Sequence, residues 1–239
     1  MTELNLSRQS LLVPPNELTR WNIHIFGVGS VGSHLALLLA KTGFKNLIVY
    51  DMDTVDEENI GPQAYMFEHL GMNKVEAIKD LISKSTGTEV VAKHGQINNE
   101  SEIEVEPHSI YICVFDSFEA RKLVYNKVKD FPGVFIDGRI GAYNLSHFMV
   151  DLIHNDQKEE YEKTFPKDNG EGSDLACGEK ASAFINYELV GRIVSNIIRY
   201  VKGDGYIKRF MGSVINHEHD LEITHKRLSD ATSGDTNVA

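Results

Sequence analysis

Between Asn22 and Asp51 the chain reads NIHIFGVGSVGSHLALLLAKTGFKNLIVYD, and no other stretch constrains the fold as strongly. An apolar run from Asn22 to Phe26 stops at Gly27, and further glycines follow at 29 and 32. A helical apolar pattern then runs to Gly43, which is placed to end it. Asn46 to Asp51 is nearly continuously apolar with β-branched residues, as in a buried strand. Strand, glycine loop, helix and strand make a βαβ unit, which puts two parallel strands in one sheet with a right-handed crossover. The glycines at 27, 29 and 32 permit a tight turn, close approach of the backbone to phosphates, and packing of strand on helix, while the helix N-terminus offers free N–H groups to an anion. Asp51, at the end of the second strand, is placed to accept ribose hydroxyls. This pattern alone leaves a dinucleotide such as NAD and a nucleotide such as ATP equally open.

The same alternation continues. NKVEAIKDLISKS puts Val75, Ile78 and Ile82 on one helical face, and TEVVAKHG follows as a third strand. Ser109 to Phe115 is another buried strand, SFEARKLVYNKVKDF a helix, and GVFID a further strand. From Ala142 the rhythm changes to a longer strand, AYNLSHFMVDLI, and residues 154–174 are polar and non-periodic, as in a mobile loop. A long helix carries Ile185, Leu189, Ile193 and Ile197, and two late segments, RFMGSVIN and LEITHK, pattern as an antiparallel pair. The expected fold is α/β and Rossmann-like: a mostly parallel central sheet, helices on both faces, and antiparallel strands at the C-terminal end. Residues 1–227 are expected to form one domain, with 228–239 as a disordered tail.

Composition narrows the partners. The 239 residues include 24 Lys and Arg against 35 Asp and Glu, a formal net charge of -11, which argues against wholesale binding to nucleic acid or an anionic membrane. No signal-peptide pattern and no run of 18 apolar residues is visible, so a cytoplasmic protein is expected. The two cysteines, Cys113 and Cys177, form no CxxC and cannot make a four-cysteine zinc site, and no zinc is expected. Cys113, inside an apolar strand, reads as core. HEH at 217–219 reads as a surface strand.

The segments after the βαβ unit carry a resemblance. DMDTVDEENIGPQ followed by GMNKVEAIKDLI resembles the ThiF/MoeB/HesA family, the bacterial relatives of ubiquitin-activating enzymes. So do SRQ near the N-terminus, CVFDSFEARKLVYN, ACGEKASAFINYELVGRIVSNIIRY and RFMGSVINHEHDLEITHKR, in the family's order over most of residues 5 to 227.

The resemblance implies ATP-dependent adenylation of the C-terminal carboxylate of a small ubiquitin-like or sulfur-carrier protein with a Gly-ended tail. ATP would lie over the Gly27 to Gly32 loop. Lys74 matches the phosphate lysine, where an ordinary chain would carry an exposed first-turn residue. Asp116 matches the Mg²⁺-associated aspartate, its rival role being the N-cap of the helix near Ser117. Asp51 matches the ribose ligand, Asp53 stands beside it in the nucleotide site or shapes the turn, and Asn59 and Gln63 match the polar residues of an Asn-x-x-Arg-Gln box. Arg8 matches an arginine sent into the partner's site, implying a homodimer. Cys177 matches a cysteine that some members use to capture the activated carbonyl, and it reads equally well as a small buried residue. Residues 154–174 would be the crossover loop over the substrate tail. The sequence departs from the family at Pro62, which replaces the box arginine; Arg139 is the candidate substitute cation. Two rivals remain: an NAD-dependent oxidoreductase, and a nucleotide-binding subunit without catalysis, for which Pro62 speaks.

Overall fold

The computed structural model describes residues 4–141, 143–165, 183–214 and 219–224. They form one eight-stranded sheet in the order β3-β2-β1-β4-β5-β6-β7-β8. The strands are β1 (Asn22–Phe26), β2 (Asn46–Asp51), β3 (Val90–His94), β4 (Ser109–Cys113), β5 (Val134–Gly141), β6 (Asn144–Asp151), β7 (Tyr206–Ser213) and β8 (His219–Thr224). Strands β1 to β5 pair in parallel and β5 to β8 antiparallel. This is the mixed sheet expected from the sequence. Among the described residues no helix is long and apolar enough to cross a membrane.

Helix α1 (Pro15–Arg20) precedes β1, and α2 (Ser30–Thr42) and α3 (Lys74–Thr86) follow β1 and β2. Gly43 closes α2 in the left-handed conformation, with its N–H on the Ala40 and Leu39 carbonyls. The long helix α6 (Ala183–Val201) buries Ile185, Leu189, Ile193 and Ile197 in one core with α2 and α3. On the opposite face of the sheet a second core gathers α4 (Phe118–Val128), α5 (Asn155–Glu162) and the aromatic side chains of β1, β2 and β5.

Helix α5 corrects the reading of 154–174 as a loop throughout. Its composition is polar, but Gln157 and Tyr161, four residues apart, are buried on one side. Gln157 bonds the Tyr206 hydroxyl at 2.7 Å, and Tyr161 joins the aromatic core beside Tyr125 and Phe135. Two anchoring residues one turn apart hold a helix that has almost no apolar period to show. Residues 166–174, like Cys177 and the tail, lie outside the described residues.

The junction of α6 with the antiparallel strands depends on Asn196. Its buried amide donates to the Ile207 carbonyl at 2.8 Å and accepts from the Ile207 N–H at 2.7 Å. Asn196→Ala strands both backbone groups, and chemical denaturation is expected to show a loss of about 2–3 kcal/mol.

Candidate nucleotide site

The site follows from register. Phe26 on β1 lies level with Tyr50 on β2 and Cys113 on β4, so Gly27, Asp51 and Val114–Asp116 leave the sheet side by side at its C-terminal edge. The backbone extends the ladder by one step on each side, Gly27 N–H to Tyr50 O at 2.8 Å and Val114 N–H to Phe26 O at 3.0 Å. Strand order reverses between β1 and β4, and open α/β sheets bind ligands at this switch point.

Each glycine of the loop has its own reason. Gly27 has φ +90, and a Cβ there would stand 3.0 Å from Phe115 Cδ1. A Cβ on Gly32 would overlap the Gly27 carbonyl. Among the described residues nothing lies within 4 Å of the Gly29 Cβ position, just where α2 begins. That helix start has no side-chain cap and no acidic residue in its first turn, which leaves its N–H groups and the positive end of its dipole to an anion. The cradle fits a phosphate.

Asp51 is buried and accepts from Val28 N–H at 2.8 Å through Oδ2 and from Asp53 N–H at 2.9 Å through Oδ1. Burial pushes its carboxyl above the ordinary value, while those amides and the Lys74 charge pull it back. Each oxygen keeps a second lone pair for a ribose hydroxyl. Asp53 clamps Lys74 twice, accepting its N–H at 2.9 Å on the main chain and its Nζ at 2.8 Å on the carboxylate. The Lys74 side chain is 9% exposed against 53% for Asp53, so the ammonium is a stored charge and not a solvated surface group. Tyr65 ties this region to the loop, its hydroxyl lying 2.6 Å from Val28 O and 3.3 Å from Lys74 O.

Asp116 is exposed just beyond β4. The cap of α4 is Ser117, whose hydroxyl accepts from Ala120 N–H at 3.2 Å, so Asp116 does not serve there. An exposed strand-end carboxylate is the donor type that Mg²⁺ takes. Asn59 turns inward on its own segment, accepting from Asp56 N–H at 3.0 Å. Gln63 presents a buried amide oxygen with no hydrogen-bond partner among the described residues. Pro62, in place of the family arginine, is held by its carbonyl, 3.2 Å from His34 Nε2 and 2.9 Å from Asn186 Nδ2. That contact pins the polar box between α2 and α6.

Two candidates stand apart from this cluster. Arg139 lies within β5 on the α4/α5 side, its Nε 2.7 Å from Asp137 Oδ2 and its guanidinium 4.7 Å from the Phe148 ring centroid. Its guanidinium is engaged by the buried carboxylate of Asp137, which it shares with Arg121. Arg8 is exposed beside Gln9, whose amide donates to Thr42 O at 2.7 Å at the far end of α2. A 13-residue helix is about 20 Å long, so Arg8 is remote from its own Gly27 loop. Cys113 is core, its thiol pushed up by burial. The sequence reading gave Arg121 no role in the site and missed Asp137, whose only local signal was a carboxylate closing the apolar run GVFID.

Glu68, His69 and Asp80 bring ligand atoms within 4.8 Å of one another. Lys84 sits 2.9 Å from Glu68 and 2.7 Å from Asp80, and His69 Nδ1 accepts from Met66 N–H, which leaves the proton on the nitrogen facing Asp80. This cluster is an ion-pair network.

A sequence model described as the ThiF family matches residues 6–230. The chain belongs to the ThiF family. Among curated relatives, this ThiF-family chain is 24% identical over 200 residues to a ubiquitin-like modifier-activating enzyme 5 of Caenorhabditis briggsae, covering 82% of the chain and 37% of the relative. It is 30% identical over 124 residues to the NEDD8-activating enzyme E1 catalytic subunit of Caenorhabditis elegans, covering 51% and 29%. It thus spans about a third of their length. Among solved structures, E. coli MccB superimposes with a TM-score of 0.70 at 16% identity, over 100% of this chain and 74% of that one. MccB crystallised with ATP gives 0.66 at 16% identity over 91% and 68%. These likenesses establish the fold.

Proposed function

We propose that this ThiF-family chain adenylates the C-terminal carboxylate of a small ubiquitin-like protein, using Mg·ATP bound over the Gly27–Gly32 loop. One observation carries the reading: an uncapped helix N-terminus, a buried lysine beside it and an exposed strand-end aspartate converge at one sheet edge. ATP supplies the electrophilic α-phosphorus and pyrophosphate as leaving group. The first-turn N–H groups of α2 and Lys74 Nζ bind the phosphates, and their fixed positive charge opposes the negative charge that builds as the carboxylate oxygen attacks. Asp51 holds the ribose, Asp116 holds Mg²⁺, and Asn59 and Gln63 frame the phosphate side. A Gly-ended tail suits the approach, since a chain without Cβ atoms can thread close to the loop.

The position of Arg8 supports a homodimer in which each N-terminal segment serves the other protomer's site, because its own site lies a helix length away. Cys177 is the proposed acceptor of the activated carbonyl in a later step. Pro62 favours one second reading, a subunit that binds nucleotide without turning it over.

The test is exchange of labelled pyrophosphate into ATP in the presence of small β-grasp proteins ending in Gly-Gly, each paired with the same protein amidated at its C-terminus. Exchange that requires the free carboxylate is the expected result. Mg·ATP binding with no exchange for any partner would favour the subunit without chemistry.

A further inference from the structure

Asp137 is fully buried at the C-terminal edge of the parallel strands, and its two oxygens serve different partners. Oδ1 accepts from Arg121 Nη1, while Oδ2 accepts from Arg139 and, at 2.9 Å, from the Tyr161 hydroxyl. Burial alone would push its carboxyl up; the charges of Arg121 and Arg139 outweigh burial and hold it below the ordinary value, so it stays ionised.

Arg121 in turn holds main chain that no strand holds. The β4 ladder ends with Val114, and the Phe115 carbonyl just beyond accepts from Arg121 Nη2. Nη1 also donates to Gly138 O at 2.9 Å. Phe115 and Val114 are the wall of the glycine loop: the Cβ positions of Gly27 and Gly32 lie 3.0 Å from Phe115 Cδ1 and 3.1 Å from Val114 Cγ2. Asp116 is the next residue.

We propose that Asp137 and Arg121 are positioning residues of the nucleotide site: the carboxylate fixes the guanidinium, and the guanidinium fixes the Val114–Asp116 segment against the glycine loop. Neither touches the reacting atoms. A planar fork locked by a carboxylate holds the Phe115 and Gly138 carbonyls in one fixed geometry, which the flexible, rotatable ammonium of lysine does not reproduce. Stability alone gives little reason for the arrangement, since well-packed apolar groups often replace a buried ion pair without loss. The proposal rests on the nucleotide reading above.

The experiment compares Arg121→Lys, Asp137→Asn and Asn196→Ala, the last a destabilising control at the junction of α6 with β7. Melting temperature and Mg·ATP affinity by calorimetry are measured for each folded variant. Arg121→Lys keeps the positive charge and guards against the case in which Asp137→Asn fails to fold. The expected result is a loss of ATP affinity of about tenfold or more in the Arg121 and Asp137 variants, with Asn196→Ala within about twofold of the parent despite its lower melting temperature. Parental affinity in folded Arg121→Lys overturns the proposal alone, as does affinity that tracks melting temperature across all three variants. A parent that binds no ATP overturns the nucleotide reading and this proposal with it.

Discussion

Gly32→Ala is expected to destroy ATP binding while leaving a folded but weakened protein. The added methyl would overlap the Gly27 carbonyl oxygen and lie 2.8 Å from its carbon, both main-chain atoms that cannot rotate away. Helix α2 must then lift from β1. Overpacking costs about 1–3 kcal/mol in ordinary cores, and an obstacle made of backbone belongs at the upper end. A displacement on the order of 1 Å at a positioned site costs about 100-fold, so ATP affinity is expected to fall by at least that much. Gly29→Ala is the informative contrast. Its methyl meets none of the described residues within 4 Å, so the melting temperature is expected to hold while ATP affinity drops, because the methyl takes up space over the α2 N-terminus. Scanning fluorimetry with calorimetry reads both effects, and parental ATP affinity in Gly32→Ala would contradict the placement of the nucleotide.

The second large effect belongs to Lys74. Its buried Nζ lies 2.8 Å from the half-exposed carboxylate of Asp53, and holding the ammonium out of water costs desolvation that a structural role on an α3 surface would not require. A charge-assisted hydrogen bond to phosphate contributes about 1.5–3 kcal/mol, so Lys74→Ala is expected to weaken Mg·ATP binding roughly 10- to 150-fold. Asp53 would be left exposed without its partner, so the fold should tolerate the change. Calorimetric titration of the folded variant checks it; unchanged affinity would reduce Lys74 to an internal salt bridge.

The parallel half of the sheet was legible because β1, β2 and β4 are short, buried and mostly apolar runs and the first of them stops at the glycine loop. Val75, Ile78 and Ile82 likewise marked α3, and all three are fully buried. What the sequence hid was non-local. The Arg121–Asp137 pair joins residues 16 apart, and nothing in either neighbourhood marks the other. Arg139 looked available as a cation because its match, Asp137, lies two residues away on the same strand, where both side chains point to one face. Helix α5 escaped notice because long-range anchors at Gln157 and Tyr161 replace an apolar stripe. The competing roles of Asp116 could be weighed only once Ser117 was found to cap α4.

Calorimetric titration of the parent protein with Mg·ATP and, separately, with NAD decides which nucleotide the glycine loop binds. Saturable binding of Mg·ATP and none of NAD is expected, with the ATP heat diminished in Lys74→Ala. Tight NAD binding that is indifferent to Lys74→Ala would contradict that expectation and make the Gly27–Gly32 loop a dinucleotide site.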